Sequence, residues 1–353
     1  MKRPEKFKMK KIPFESTKTK NPTIMKKLVL FLVVALLAAM ASAYGQTCNP
    51  GPLNPAAGSP YTYKVIIGSP PYNGTTGSFT WYVTTNVDLL NASGVLPSPG
   101  SEIIATGTYN APAVGQDQII ITWTAQAVVN GLANPYYLVV KFDGNNGICD
   151  AMNMKVWQVT PINTFLLAID DMGGAGNNGT YCASAVSSAI VTPGASPTVN
   201  YQYGINSLYA RVTASRYTGD WTPSFRIEGL DAVQTIASVV WSTDSLFTST
   251  HTTTIAGNVA TSTDNATAAF DGSAKIYVKI DVDNHHFETL ADLAITLGVD
   301  GVITVGTTTL NDVKSETDCS DEVIFGKYTN QTIKARPTVT PDPATGPFIV
   351  KNP

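Results

Sequence analysis

Apolar and polar residues alternate with a period of two along most of the chain. In the segment Lys275–Asp283, the even-numbered positions are Ile or Val, and the odd-numbered ones are Lys, Tyr or Asp. This is the period of a β-strand with one buried and one solvated face. The same alternation predicts strands in ten further segments: Tyr61–Ile67, Ser78–Thr84, Glu102–Thr108, Ile119–Trp123, Tyr136–Phe142, Met152–Val159, Thr164–Ile169, Leu208–Ala214, Ser224–Glu228 and Ile236–Ser242.

The turn signals between these segments predict an all-β fold. Asp300-Gly301 lies between two alternating runs, 293–299 and 302–305, and an Asp-Gly pair in this position predicts a hairpin turn. No segment of ten or more residues beyond the N-terminal region has a helical period. We therefore expect two tandem Ig-like β-sandwich domains, residues 46–160 and 164–336, joined at Pro161-Ile162-Asn163 and followed by an extended Pro-rich tail, 337–353.

The N-terminal 45 residues are typical of an export signal. Met25-Lys26-Lys27 precedes an uncharged run, Leu28–Met40, which ends in Ala41-Ser42-Ala43. A basic start, a short apolar core and an Ala-x-Ala site predict a Sec signal peptide at residues 25–45. Residues 1–24 are then a basic leader that is untranslated or unstructured. A nucleic-acid-binding tail or a membrane-anchored N-terminus is the alternative reading.

Charged residues are unevenly distributed along the chain, and their distribution limits the classes of molecule that the protein is expected to bind. The whole chain has 23 basic and 26 acidic residues, but the first 27 positions hold ten of the basic and only two of the acidic ones. The exported part therefore has 13 basic and 24 acidic groups, a net charge near −11. This charge argues against nucleic acid as a partner, and we expect no membrane span in the mature chain.

Four cysteines remain after the signal peptide: Cys48, Cys149, Cys182 and Cys319. An even number in an exported protein favours disulfides. Three connectivities are possible. We favour Cys48–Cys149 with Cys182–Cys319, because each bond would then close one predicted domain, and free buried thiols are the alternative.

Residues 119–149 carry a family resemblance. Ile119–Trp123, Pro135–Phe142 and Asn145–Cys149 resemble the closing strands of the Ig-like or PKD-like modules of secreted Bacteroidota surface proteins. The signal peptide ending Ala43-Tyr-Gly-Gln46 is similar to those of that phylum. The resemblance implies spacers, adhesive stalks or appendage subunits. The basic sorting motif usual in type IX secretion cargo is not found at the C-terminus.

Candidate binding residues are few. Asp281, Asp283 and Glu288 could offer oxygen ligands to Ca²⁺, although their spacing matches no EF-hand loop, and we otherwise expect no cofactor. Tyr217 and Trp221 could form a stacking platform for a glycan. The apolar tail segment Phe348, Ile349 and Val350 could complete the sheet edge of a neighbouring molecule, or pack back on its own domain.

These patterns favour a function without catalysis. The three histidines, His251, His285 and His286, are not accompanied by a nucleophile motif, so we expect no enzyme, although two carboxylates of a glycosidase could still meet in space. The hypothesis is a secreted, cell-surface structural or adhesive protein that assembles with itself or binds other surface proteins or glycans. The alternative is a carbohydrate-binding module.

Overall fold

The computed structural model describes residues 48–68, 77–89, 93–145, 150–172, 179–194, 197–339 and 350–351. The predicted leader and the predicted signal peptide lie outside this part of the chain. The strands are β1 (Pro60–Lys64), β2 (Gly77–Thr84), β3 (Ile103–Thr106), β4 (Ala113–Val114), β5 (Gln118–Trp123), β6 (Tyr136–Asn145), β7 (Asp150–Val159), β8 (Leu166–Asp171), β9 (Thr180–Cys182), β10 (Val186–Thr192), β11 (Thr198–Ser215), β12 (Gly219–Glu228), β13 (Thr235–Ser242), β14 (His251–Ala256), β15 (Val259–Ser262), β16 (Ala266–Ala268), β17 (Lys275–His285), β18 (Leu293–Val305), β19 (Thr308–Asn311), β20 (Lys327–Lys334) and β21 (Val350–Lys351).

The strands before residue 160 form two sheets around one core. One sheet has the order β1-β5-β3 and the other β4-β2-β6-β7. The alternation expected of β5 is observed, because Ile119, Ile121 and Trp123 are buried. Trp81 from the second sheet is buried in the same cluster. Because both sheets supply its members, this cluster holds them face to face.

The strands after residue 165 form one network with the path β10-β11-β17-β13-β14-β15-β12-β18-β20-β9. Strands β8 and β21 pair with β11, β16 pairs with β12, and β19 pairs with β18. Strand β17 alternates between buried and partly exposed positions, as its sequence predicts. Its buried side joins Trp221, Phe225 and Trp241 in the second core. The chain is therefore all-β apart from one short helix in the described residues.

That helix, α1 (Ala125–Gly131), was not expected from the sequence. The Thr124 side chain caps it by accepting a hydrogen bond from the Ala127 amide at 3.3 Å. Seven residues make fewer than two turns, which is too short for a helical stripe to be recognised. Val128 of α1 packs into the second core, so the helix links the two halves.

The predicted hairpin at Asp300-Gly301 is wrong. Strand β18 continues through both residues, which pair with Ser224 and Pro223 of β12. The reversal comes later, where Val305 pairs with Thr308. Gly301 has a packing role instead: a Cβ there would lie 2.7 Å from a ring carbon of Trp221. Glycine is thus needed for close approach to the ring and not for a turn.

The sheets before and after residues 160–165 share no described strand, and the division into two tandem domains, 46–160 and 164–336, stays a prediction. The segment 51–58 contacts both halves. Ala56 forms a bridge with Ile162, while a Cβ on Gly58 would meet the Thr218 carbonyl oxygen. The Gly58 amide also donates to the Trp123 carbonyl at 2.7 Å. Residues 48–339 of the described chain consequently belong to one compact unit.

Candidate functional site

The disulfide joins Cys48 to Cys319, so the pairing predicted from the sequence is wrong. The two Cα atoms are 4.9 Å apart, although 271 positions separate the residues. The N-terminal segment crosses to the second half, where the Cys48 amide donates to the Thr317 carbonyl at 3.3 Å. Cys182 is a free, exposed thiol at the end of β9. Cys149 lies outside the described residues.

Arg216 reinforces this disulfide, which we call the clamp. Its guanidinium donates to the Cys48 carbonyl at 3.2 Å and to the Glu316 carbonyl at 2.7 Å, so it bridges both sides of the bond. Its backbone has a left-handed φ of 58°, which an L-residue adopts only at a cost of about 1 kcal/mol. Sequence patterns contain no signal for Arg216, because its partners are backbone atoms 100 and 168 positions away.

Two carboxyl groups meet at Asp312, the residue before Val313, which shares a buried cluster with both cysteines of the clamp. Asp312, which is only 1% exposed, shares a hydrogen bond with Asp300 of β18. Burial raises the pKa of both groups, and the Asp300 charge raises that of Asp312 further, to about 8. The ammonium of Lys327 opposes this shift only in part. These effects favour the protonated, neutral form of Asp312, which can donate a hydrogen bond to Asp300.

The candidate calcium ligands are engaged in other contacts: Asp283 accepts a hydrogen bond from the His285 amide at 2.9 Å, and Glu288 also has an interaction partner. Asp281 accepts hydrogen bonds from Ser207 at 2.5 Å, Ser238 at 2.9 Å and Lys279 at 3.0 Å. Burial acts to raise its pKa, but these bonds outweigh it and hold the pKa below the usual value. Asp281 therefore ties β11 and β13 to β17. Within the described residues, no three acidic, His or Cys side chains converge as ligands for one ion.

Tyr217 and Trp221 do not form a glycan platform. Trp221 is 1% exposed and Tyr217 is 7% exposed, and both belong to the second core. Phe165 covers them, with its ring centroid 5.5 Å from that of Trp221 and 5.7 Å from that of Tyr217. A sugar must stack on an open ring face, so this prediction is wrong. The indole is buried because position 221 lies on the inward-facing side of β12.

The end of the tail lies on its own chain. Val350 and Lys351 form β21, which pairs in parallel with Thr198 and Val199 of β11. The remaining two residues of the predicted assembly strand, Phe348 and Ile349, lie outside the described residues. On the opposite side of the same stretch of β11 runs β10, with Thr192 and Val191 opposite Thr198 and Val199. The tail therefore contributes a strand to the sheet.

Strand β10 is an exposed edge. It lies at the end of the sheet path, and six of its seven residues are exposed. The exposed side chains include Val186, Ile190 and Val191. An apolar edge strand without charge is a template for pairing with another chain.

No family model matches this chain, and no curated protein matches it. Among solved structures, the full-length major pilin SpaD from Corynebacterium diphtheriae aligns with 11% identity, over 76% of this chain and 67% of that chain, with a TM-score of 0.25. The major pilin subunit BcpA of Bacillus cereus aligns with 8% identity over 73% and 69%, with a TM-score of 0.24. The collagen-binding domain of the Erysipelothrix rhusiopathiae surface protein RspB aligns with 9% identity over 82% and 95%, with a TM-score of 0.20.

The described part of the chain contains no helix that is both long and apolar enough to cross a lipid bilayer.

Proposed function

We propose that this chain is an exported structural protein of the cell surface, a non-catalytic subunit that carries mechanical load. The export signal predicted from the sequence and the resemblance to secreted surface modules of Bacteroidota support the location. The clamp is the observation that most directly supports the mechanical role. Its two cysteines enclose every strand from β1 to β19, so the covalent loop contains nearly the whole sheet structure.

Tension between the ends of the mature chain would bypass this loop. Force entering at Cys48 passes through the disulfide to Cys319 and then to β20 and the tail. Strand β20 is held by seven register pairs with β18 and three with β9. Only residues 320–353 can lengthen while the clamp is closed. They correspond to about 120 Å of extended chain, against about 1,000 Å for residues 48–353 when it is open.

Single-molecule force spectroscopy tests this proposal. The mature chain is held by handles before Cys48 and after Pro353. We expect a gain in contour length of at most about 120 Å for the oxidised protein and of up to about 1,000 Å for a Cys48→Ser/Cys319→Ser variant. A Cys182→Ser variant keeps the clamp and should behave as the parent. Equal contour-length gains in the clamped and unclamped proteins would contradict the load-bearing role.

The clamp also stabilises the resting fold. In the chain-entropy model, closing a loop of 271 positions contributes on the order of 5 kcal/mol to the free energy of unfolding. An oxidising compartment is required for such a bond to persist, which agrees with export.

A further inference from the structure

We propose that β21 of one copy pairs with β11 of a second copy, so that the subunits assemble by exchanging tail strands. This proposal deepens the structural role proposed above and rests on it for its biological setting. The site is the stretch Thr198–Gln202 of β11, on the side opposite β10; we call it the acceptor. The occupant is the Val350–Lys351 strand of another molecule of this chain.

The sheet topology creates the acceptor. Strand β17 pairs with β11 from Thr213 back to Tyr203, where it ends at His285. Strand β10 lies on the other side of β11, because Tyr203 pairs with Val186 as well as with His285. Beyond Tyr203, β21 takes the place in the sheet that β17 leaves. The structure thus shows which segment of this chain the acceptor takes.

The pairing of β21 with β11 of its own chain involves few residues. Only two register pairs, Thr198 with Val350 and Val199 with Lys351, hold β21 in place. An exchanged strand makes the same two pairs in the second copy, so the exchange leaves the number of strand pairs unchanged. The balance between the two arrangements therefore depends on the segment that connects β20 to β21.

The segment that connects β20 to β21 is longer than the distance that it must span for β21 to pair with its own chain. Its start is anchored at the acceptor: the Arg336 guanidinium lies 4.0 Å above the Tyr203 ring, and its amide donates to the Thr289 carbonyl at 2.7 Å. From Tyr203 to Thr198 is five residues along β11, about 17 Å. Residues 337–349 can span about 40 Å when extended.

The sequence between β20 and β21 is rich in proline. Four of them, Pro337, Pro341, Pro343 and Pro347, lie between Arg336 and Val350. Proline fixes φ and favours a stiff, extended chain. A stiff connector whose extended length exceeds the span lowers the effective concentration of its own end at the acceptor. The acceptor of a neighbouring molecule can then compete for β21 at a lower protein concentration than it could if the connector were flexible.

Charge does not oppose the approach of a second copy at this place. Residues 172–210 contain no Asp, Glu, Lys or Arg, although the exported chain as a whole is acidic. The first half of β11, which contains the acceptor, and β10 on its other side both belong to this uncharged stretch. Two acidic molecules can therefore meet here without bringing like charges into direct contact.

Disulfide crosslinking between two preparations, each with a cysteine introduced at a different position, tests the exchange. One carries Thr198→Cys and the other Val350→Cys, both in a Cys149→Ser/Cys182→Ser background that keeps the clamp. Neighbouring strands lie about 4.8 Å apart, which suits a disulfide between register partners. After mixing and mild oxidation, we expect a crosslinked dimer. A variant with both substitutions should give dimer and intramolecular product in a ratio that rises in proportion to protein concentration.

Two controls define the outcome. Leu246→Cys, at an 82% exposed turn residue, replaces Thr198→Cys and should give at least tenfold less dimer. Pro341→Gly/Pro343→Gly should lower the ratio of dimer to intramolecular product severalfold, because a flexible connector closes more easily. Intramolecular product alone at every concentration, with no dimer in the mixture, overturns the exchange. That result leaves the load-bearing proposal intact, since the contour-length measurement depends only on the clamp.

Discussion

The buried acid Asp312 should make this protein less stable as the pH rises from 5 to 7. Its pKa is about 8 in the folded chain, because of burial and the neighbouring Asp300, whereas an unfolded Asp titrates near pH 4. Between these values the folded state holds a proton that the unfolded state has lost. The free energy of unfolding therefore falls by up to about 1.4 kcal/mol per pH unit, or about 3 kcal/mol from pH 5 to pH 7.

The Asp312→Asn substitution should remove this dependence. An amide can donate a hydrogen bond to Asp300 as the neutral acid does, but it carries no titrating proton. At pH 5 we expect the two proteins to unfold at similar urea concentrations. At pH 7 the variant should be more stable by about 2–3 kcal/mol. The carboxylate of Asp244, whose pKa is lowered to about 2 by hydrogen bonds led by that from Thr248, titrates below this window.

Urea unfolding followed by tryptophan fluorescence at pH 5, 6, 7 and 8 measures the effect. Asp143→Asn, at an exposed position of β6, is the matched control and should leave the slope of stability against pH unchanged. Parallel curves for the parent and the Asp312→Asn variant would refute the reasoning, as would a parent protein that gains stability from pH 5 to pH 7.

Three further outcomes are expected. Gly301→Ala should destabilise by about 1–3 kcal/mol in urea unfolding, because its Cβ would lie 2.7 Å from the Trp221 ring, whereas Gly51→Ala, with nothing within 4 Å, should be neutral. Trp221→Ala should cost about 3–5 kcal/mol as a core cavity, and an unchanged urea midpoint would show that the ring is not buried. Iodoacetamide should modify Cys182 in the native protein and leave Cys48 unmodified, as peptide mass mapping can establish.

Strand positions and their buried sides could be predicted because they depend on a local pattern. The apolar positions of β17 and β5 are inside, as their period of two requires. The Asp300-Gly301 turn could not be judged in this way, since strand continuation there depends on pairing with β12 and on the space beside Trp221. Turn propensity is a weaker effect than a full ladder of hydrogen bonds and a filled core.

The candidate site is built from contacts between residues that lie far apart in the sequence, so local patterns could not predict it. Which cysteine faces Cys48, and which carboxyl meets Asp312, were decided by the packing of segments that are remote in sequence. Arg216 became part of the clamp through backbone partners far along the chain. None of these contacts leaves a periodic signal, because each joins single positions in segments that do not follow one another.

By itself the sequence determined an all-β chain with an acidic, sparsely charged part after residue 27 and an uncharged stretch at 172–210. Only the tertiary structure decided that Cys48 bonds to Cys319, that Trp221 is enclosed and that β21 lies beside β11. The physical reason is range: alternation and charge are properties of neighbouring residues, whereas disulfides, burial and strand order are set when remote segments pack together.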